Sequence, residues 1–218
     1  MIPKGTVAPV TIETHQVALQ TLDGLRLDAD LCVPVGATAA VVVCHPHPRF
    51  GGNRFNPVVD TVFCRLARSG VAVLRFDFRG VGDSEGEYGD GIDERLDVAA
   101  AVDQLGSATD APLWLAGYSF GAHVALDVVH PSLEGWIAVA PPLAKSATER
   151  IAATDHRPKH LLVGARDQFG TPDDVRRRIS GWGRADLTVL PGADHFLVGH
   201  LDDVSDWVGA IVGVTPSV

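Results

Sequence analysis

The chain has 218 residues, a net charge of −9, 46% apolar residues and 21% charged residues. That length fits one domain over residues 1–218, large enough to bury roughly 70% of its unfolded surface, and the mix is globular rather than disordered. The acidic excess argues against nucleic acid as a partner, and no apolar run approaches the roughly 20 residues that span a bilayer.

Residues 15–33 read as two alternating strands around a hairpin turn at Asp23-Gly24. The uninterrupted run Ala39–Cys44 predicts a strand buried on both faces. Residues 56–69 predict a helix, with Val58, Val59, Val62, Phe63 and Leu66 on one face and Gly70 closing it. Val71–Phe76 is a strand, and 79–91 a loop rich in Gly and Asp. Residues 92–105 predict a helix with Ile92, Leu96, Ala99 and Val102 on its buried face. Leu113–Ala116 is a strand, residues 120–129 open a helix, and strands follow at Trp136–Val139, His160–Val163 and Leu187–Leu190. The last helix covers about 202–212, with Val204, Trp207, Val208, Ile211 and Val212 inward. This alternation predicts a mostly parallel sheet covered on both faces, after an antiparallel start. About twenty residues separate the strands at 136–139 and 160–163, room for one short helix at most, so an open, shallow site is expected.

Cys32, Cys44 and Cys64 are odd in number and form no C-x-x-C pair. That pattern fits reduced thiols in a cytoplasmic protein better than a disulfide framework or a zinc knuckle. The amino-terminal stretch MIPKGTVAPVTIETHQ lacks the apolar core of a secretory leader, which also points to the cytoplasm. The basic cluster Arg176-Arg177-Arg178 sits beside Asp173 and Asp174 and reads as a solvated helix face.

Gly117-Tyr118-Ser119-Phe120-Gly121 matches G-x-S-x-G, and so does Gly82-Asp83-Ser84-Glu85-Gly86. Context separates them. A nucleophile elbow needs a strand before the first glycine and a helix after the last. Leu113–Ala116 supplies the strand, and Ala122, Val124, Ala125, Val128 and Val129 supply the helix. Ser84 has neither, so Ser119 is the candidate nucleophile. A serine hydroxyl needs an adjacent base, itself oriented by an acid, and after such an elbow the acid precedes the histidine in the chain. Of nine histidines only His195 and His200 follow the last strand. His195 lies in the loop directly after it and is the candidate base, while His200 reads as a surface or capping residue. Asp167 ends the strand at 160–163 and is the candidate acid. Asp173 and Asp174 read as first-turn helix residues, and Asp194 is too close in sequence to orient His195.

An oxyanion formed by attack on a carbonyl needs backbone donors. Phe120 N–H follows the nucleophile and is the first. The second is expected from the loop Cys44–Asn53, where Pro46 and Pro48 cannot donate, which leaves His47 first and Arg49 second. A metal site at His45 and His47 lacks a third ligand, so no metal or other cofactor is expected. The segment Phe76–Ser84 reads as structural, with Asp77 and Arg79 able to pair.

The segments HPHPRFGGN, RFDFRGVGDSEGEY, GYSFGA, GARDQF and GADHF occur in that order. Together they are similar to small cap-less bacterial α/β-hydrolases related to dienelactone hydrolases, over roughly residues 15–212. The resemblance implies an α/β-hydrolase fold with no substantial cap, and a triad of Ser119, Asp167 and His195. Dienelactone hydrolases proper use Cys as nucleophile, and this chain has Ser. The expected activity is that of a serine hydrolase cleaving ester-type bonds of small or medium acyl substrates through an acyl-enzyme. A thioesterase or perhydrolase would use the same residues. The contrasting reading, a non-catalytic hydrolase-fold protein that binds a ligand, has the complete triad against it.

Overall fold

A computed structural model describes residues 13–143 and 149–214. The amino-terminal stretch read as leaderless lies, up to residue 12, outside the described residues, as do five residues of the short 139–160 connection.

Eight strands form one sheet in the order β1-β2-β4-β3-β5-β6-β7-β8. They are β1 (His15–Gln20), β2 (Arg26–Cys32), β3 (Ala40–Cys44), β4 (Ala72–Phe76), β5 (Leu113–Tyr118), β6 (Leu133–Val139), β7 (Lys159–Gly164) and β8 (Ala185–Leu190). β1 and β2 pair antiparallel, as do β2 and β4, and the remaining pairs are parallel. Among the described residues five α-helices surround the sheet: α1 (Pro57–Arg68), α2 (Glu94–Ala108), α3 (Phe120–Ala125), α4 (Pro172–Ile179) and α5 (Leu201–Ile211). The expected architecture is present, and β5, β6 and β8 each run two or three residues beyond the predicted bounds.

Period-two alternation divides the core. Val42, Leu74, Leu115, Ala138 and Leu161 face the layer that holds α2, α3 and α4. Val41, Val43, Val73, Ile137 and Leu162 face the layer that holds α1 and α5. Every residue of β3 is buried, as its unbroken apolar run requires. The helix ends follow local chemistry. The Asn56 side chain accepts from Val58 N–H at 3.1 Å, Pro57 occupies the first turn of α1, and Arg65 and Arg68 occupy its last. On α4, Arg176 and Arg177 pair with Asp173 and Asp174 one turn earlier, in keeping with a solvated face. No helix among the described residues is long and apolar enough to cross a membrane.

Two expectations fail here. The buried face of α2 is Glu94, Asp97, Val98, Ala101, Val102 and Leu105, while Ile92 is exposed ahead of the helix. The apolar pattern misreads that face because two carboxylates head it. Arg79 does not pair with Asp77: its guanidinium donates to Asp97 at 2.7 Å and to Asp23 at 3.0 Å, and Asp77 pairs with Arg54. Strand geometry ends at Phe76, so residues 77 and 79 no longer share a side. Ser84 is structural, donating to Asp77 O at 2.9 Å and accepting from Asp28 N–H at 3.0 Å.

β3 has β4 on one side and β5 on the other, so the chain order reverses between β3 and β5. In parallel sheets, ligands bind at the carboxyl ends of the strands beside such a reversal. His45 ties this edge together. It is fully buried, its Nδ1–H donates to Pro46 O at 2.6 Å, and its Nε2 accepts from Phe78 N–H at 3.0 Å. Acceptance at Nε2 needs the neutral ring, and burial lowers its pKa to about 4 against the opposing pull of the Pro46 bond.

An unfolded His titrates near 6.5, so His45 stabilises the fold above that pH, and the stability drains as pH falls toward 4. Urea unfolding at pH 7 and pH 4.5 should show wild type losing about 2–3 kcal/mol more across the interval than His45→Gln. Equal losses would remove this role.

Candidate active site

Ser119 links β5 to α3 with φ 52° and ψ −113°, outside the regions that L-residues favour. Such a conformation costs about 1–3 kcal/mol and persists only where surroundings impose it. Here they do. A Cβ on Gly117 would lie 2.4 Å from the carbonyl carbon of Gly121, and one on Gly121 would lie 2.3 Å from Cys44 O. Bare backbone is therefore needed at both positions, and the start of α3 rests directly on the end of β3.

The structure brings the three candidate side chains together from separate strand ends. His195 Nε2 lies 2.9 Å from Ser119 Oγ, and His195 Nδ1 lies 2.9 Å from Asp167 Oδ2. The other carboxylate oxygen, Oδ1, accepts from Phe169 N–H at 2.8 Å and Gly170 N–H at 3.1 Å. A carboxylate only accepts, so the imidazole proton sits on Nδ1 and Nε2 is free to take the serine proton. His195 and Asp167 are buried, at 6% and 3% exposure, which leaves little water to compete for these bonds.

The rejected alternatives have other work. His200 stands at the N-cap position of α5, but its ring pairs with Asp203 at 2.9 Å instead of capping the helix. Asp194 Oδ1 accepts from Phe196 N–H at 2.9 Å and Leu197 N–H at 3.2 Å and so shapes the loop that carries His195. The Thr171 side chain caps α4 by accepting from Asp174 N–H. Among the described residues no group of three or more His, Cys, Asp or Glu is placed to hold a metal ion.

Above Ser119 lies a cleft of about 790 Å³, lined by His47, Tyr88, Phe120, His123, Phe169 and Phe196 among others. That volume lies in the range of small-molecule sites. Short loops build its walls. Two tyrosines on these walls are not evident as site residues in the sequence. Tyr118, the second residue of the G-x-S-x-G, donates through its hydroxyl to His195 O at 3.0 Å and tethers the histidine loop to β5. Burial pushes its phenol pKa up, so the hydroxyl stays a donor. Tyr88 arrives from the glycine-rich loop after β4, and its hydroxyl lies 3.1 Å from His47 Nε2. Only their partners identify them, and those partners are 77 and 41 residues away in sequence.

An eight-stranded, mostly parallel sheet with a strand-turn-helix serine at its order reversal, and no cap among the described residues, defines a lidless α/β-hydrolase fold. The chain belongs to the alpha/beta hydrolase domain family, whose model matches residues 38–203. An uncharacterized protein of Rickettsia prowazekii (strain Madrid E) is 34% identical over 167 residues, covering 71% of this chain and 70% of the relative. Among solved structures, an alpha-beta serine hydrolase homologue from Coxiella burnetii superposes with a TM-score of 0.81 at 28% identity, covering 90% of this chain and 96% of that one. A serine hydrolase without lid from Xanthomonas campestris superposes with a TM-score of 0.79 at 27% identity, covering 97% of this chain and 100% of the other.

The contact between Gly121 and β3 has a measurable consequence. Gly121→Ala puts a methyl group against Cys44 O and should cost about 1–3 kcal/mol, a fall of roughly 2–12 °C in Tm. An unchanged melting curve would contradict the packing of α3 on β3.

Proposed function

We propose that this protein is a serine esterase of small and medium acyl substrates, with Ser119 as nucleophile, His195 as general base and acid, and Asp167 as its orienting carboxylate. The observation that carries the reading is the continuous hydrogen-bonded chain from Ser119 through His195 to Asp167 at the floor of the cleft, 2.9 Å at each step. Ser119 Oγ attacks the ester carbonyl carbon while its proton passes to His195 Nε2. The tetrahedral intermediate collapses, the C–O bond to the alcohol breaks, and His195 returns the proton to the departing oxygen. Water, deprotonated by His195, then attacks the acyl-enzyme, releases the acid and restores the Ser119 hydroxyl.

The oxyanion falls to Phe120 N–H, in the first turn of α3, where amides have no intrahelical acceptor. His47 N–H is the second donor. Its competitor in the sequence, Arg49 N–H, is engaged by His47 Nδ1 at 3.2 Å. The cleft's lining, rich in aromatic side chains, fits a small organic ester.

A fluorophosphonate probe should label the wild type and leave Ser119→Ala unlabelled. His195→Gln and Asp167→Asn should retain the fold and lose at least about 10³-fold in kcat with p-nitrophenyl acetate. Equal labelling of wild type and Ser119→Ala would end the proposal.

That no cap is present among the described residues sets a second expectation. Across p-nitrophenyl esters of rising chain length, kcat/KM should peak at short or medium acyl groups and fall for long chains, because none of the described residues covers an extended tail. A preference for long chains would show that residues 141–159 close over the cleft.

A further inference from the structure

Both tyrosines of the chain and four of its eight phenylalanines line this one cleft. They form two walls on either side of Ser119. In the first, the His47 ring packs against Phe50 at 4.7 Å, Phe120 at 4.9 Å and Tyr88 at 5.1 Å. In the second, Phe169 and Phe196 flank His195 at 4.6 and 5.8 Å. Phe50 is 86% exposed and Phe196 55% exposed, one at each rim. Large aromatic rings held in water at the mouth of a cleft mark a surface that a ligand covers.

The first wall ends in a directed relay. Arg49 N–H donates to His47 Nδ1 at 3.2 Å. A ring nitrogen that accepts carries no proton, so the neutral imidazole holds its proton on Nε2. Burial and the Arg49 charge lower the His47 pKa and keep that ring neutral. His47 Nε2–H then donates to Tyr88 Oη at 3.1 Å. With its oxygen accepting from His47, Tyr88 keeps its own O–H to give. Its place is fixed from below: buried Glu94 accepts from Gly89 N–H and Gly91 N–H at 2.8 Å each and ties the Tyr88 segment to α2. Asp90 lines the same end of the cleft, so an anionic group is repelled there.

The mechanism assigns the walls. His195 protonates the leaving oxygen, so the alcohol portion departs along the wall of Phe169 and Phe196. The acyl portion lies along the wall of His47, Phe50 and Phe120. We infer that the acyl group is a planar aromatic ring bearing a neutral hydrogen-bond acceptor: the ring stacks on that wall, and Tyr88 O–H donates to the acceptor. The substrates are thus esters of hydroxylated or alkoxylated aryl carboxylic acids. This inference rests on the serine-esterase reading above.

The test compares p-nitrophenyl esters of benzoic, 4-methoxybenzoic and cyclohexanecarboxylic acids, each rate normalised to uncatalysed hydrolysis. Benzoate should exceed cyclohexanecarboxylate about fivefold or more in kcat/KM, and 4-methoxybenzoate should exceed benzoate about threefold or more. Phe50→Ala should shrink the first ratio, and Tyr88→Phe should bring the second to about one. Equal rates on benzoate and cyclohexanecarboxylate overturn the aryl subsite, and an intact methoxy gain in Tyr88→Phe overturns the hydrogen bond. A binding arm separates this inference from the esterase reading: calorimetry on Ser119→Ala with 4-methoxybenzamide and cyclohexanecarboxamide. Preference for the aryl amide upholds the subsite even if no ester is turned over, and equal binding overturns it.

Discussion

The site depends on one close approach: the backbone at Gly117 and Gly121 against the end of β3. Ser119 holds a strained, positive-φ conformation that a free chain would abandon. It is kept there because the strand before it is locked between β3 and β6 and the helix after it lies on Cys44 and His45 with no side chain between. That contact does two further things. It lifts the serine hydroxyl out at the carboxyl edge of the sheet, and it sets the Cys44–His45 backbone against the first turn of α3. A looser contact would move Ser119 and the amides proposed as oxyanion donors apart together, which links the stability of the elbow to the chemistry proposed for it.

Around that fixed point, buried charge does the work of holding loops. Glu94 and Asp97 lie one turn apart on α2 and are fully buried. Glu94 accepts from two amides of the segment bearing Tyr88, and Asp97 binds both the amide and the guanidinium of Arg79, earlier in the same loop. Burial raises the Asp97 pKa to about 6 despite the neighbouring Arg79, so this tie is made against a desolvation cost. On the opposite side Tyr118 and Asp194 hold the His195 loop. The cleft walls are therefore set before any ligand arrives, as preorganised recognition requires.

Element types and order were legible because the apolar patterns are clean: short, nearly unbroken runs in β3 and β4, and a period near 3.6 in α1 and α5. The failure at α2 is instructive. Periodicity assumes that the inward face is apolar, and Glu94 and Asp97 break that assumption by satisfying loop amides and a guanidinium inside the core. The pairing of Asp77 with Arg54 instead of Arg79 fails for a related reason, since the partner comes from another loop. At the site, chain order and strand ends were enough to select Ser119, Asp167 and His195, which the fold brings into contact. Sequence context also set Ser84 aside, a serine that the fold uses as a loop clamp. Tyr88 and Tyr118 were not legible. Each acts through a partner distant in sequence, and no local pattern distinguishes such a tyrosine from one that merely packs.

An uncapped cleft bears on which reaction the serine can run. An acyl-enzyme is partitioned between water and any other acceptor, and a closed apolar lid biases that partition against water. Among the described residues no cap lies over Ser119, so in the mechanism proposed above water would reach the acyl-enzyme freely. Under that proposal, hydrolysis is expected to win over transfer to a competing alcohol or thiol. The same openness removes the usual means of gripping a substrate by closure. Recognition has to come from rigid side surfaces, and rigid surfaces select rigid partners: a flat ring gains full contact with fixed aromatic walls at little entropic cost, whereas a flexible chain would have to be frozen to do so. The absence of a cap and the aromatic walls therefore point the same way, toward a compact planar acyl group over Ser119.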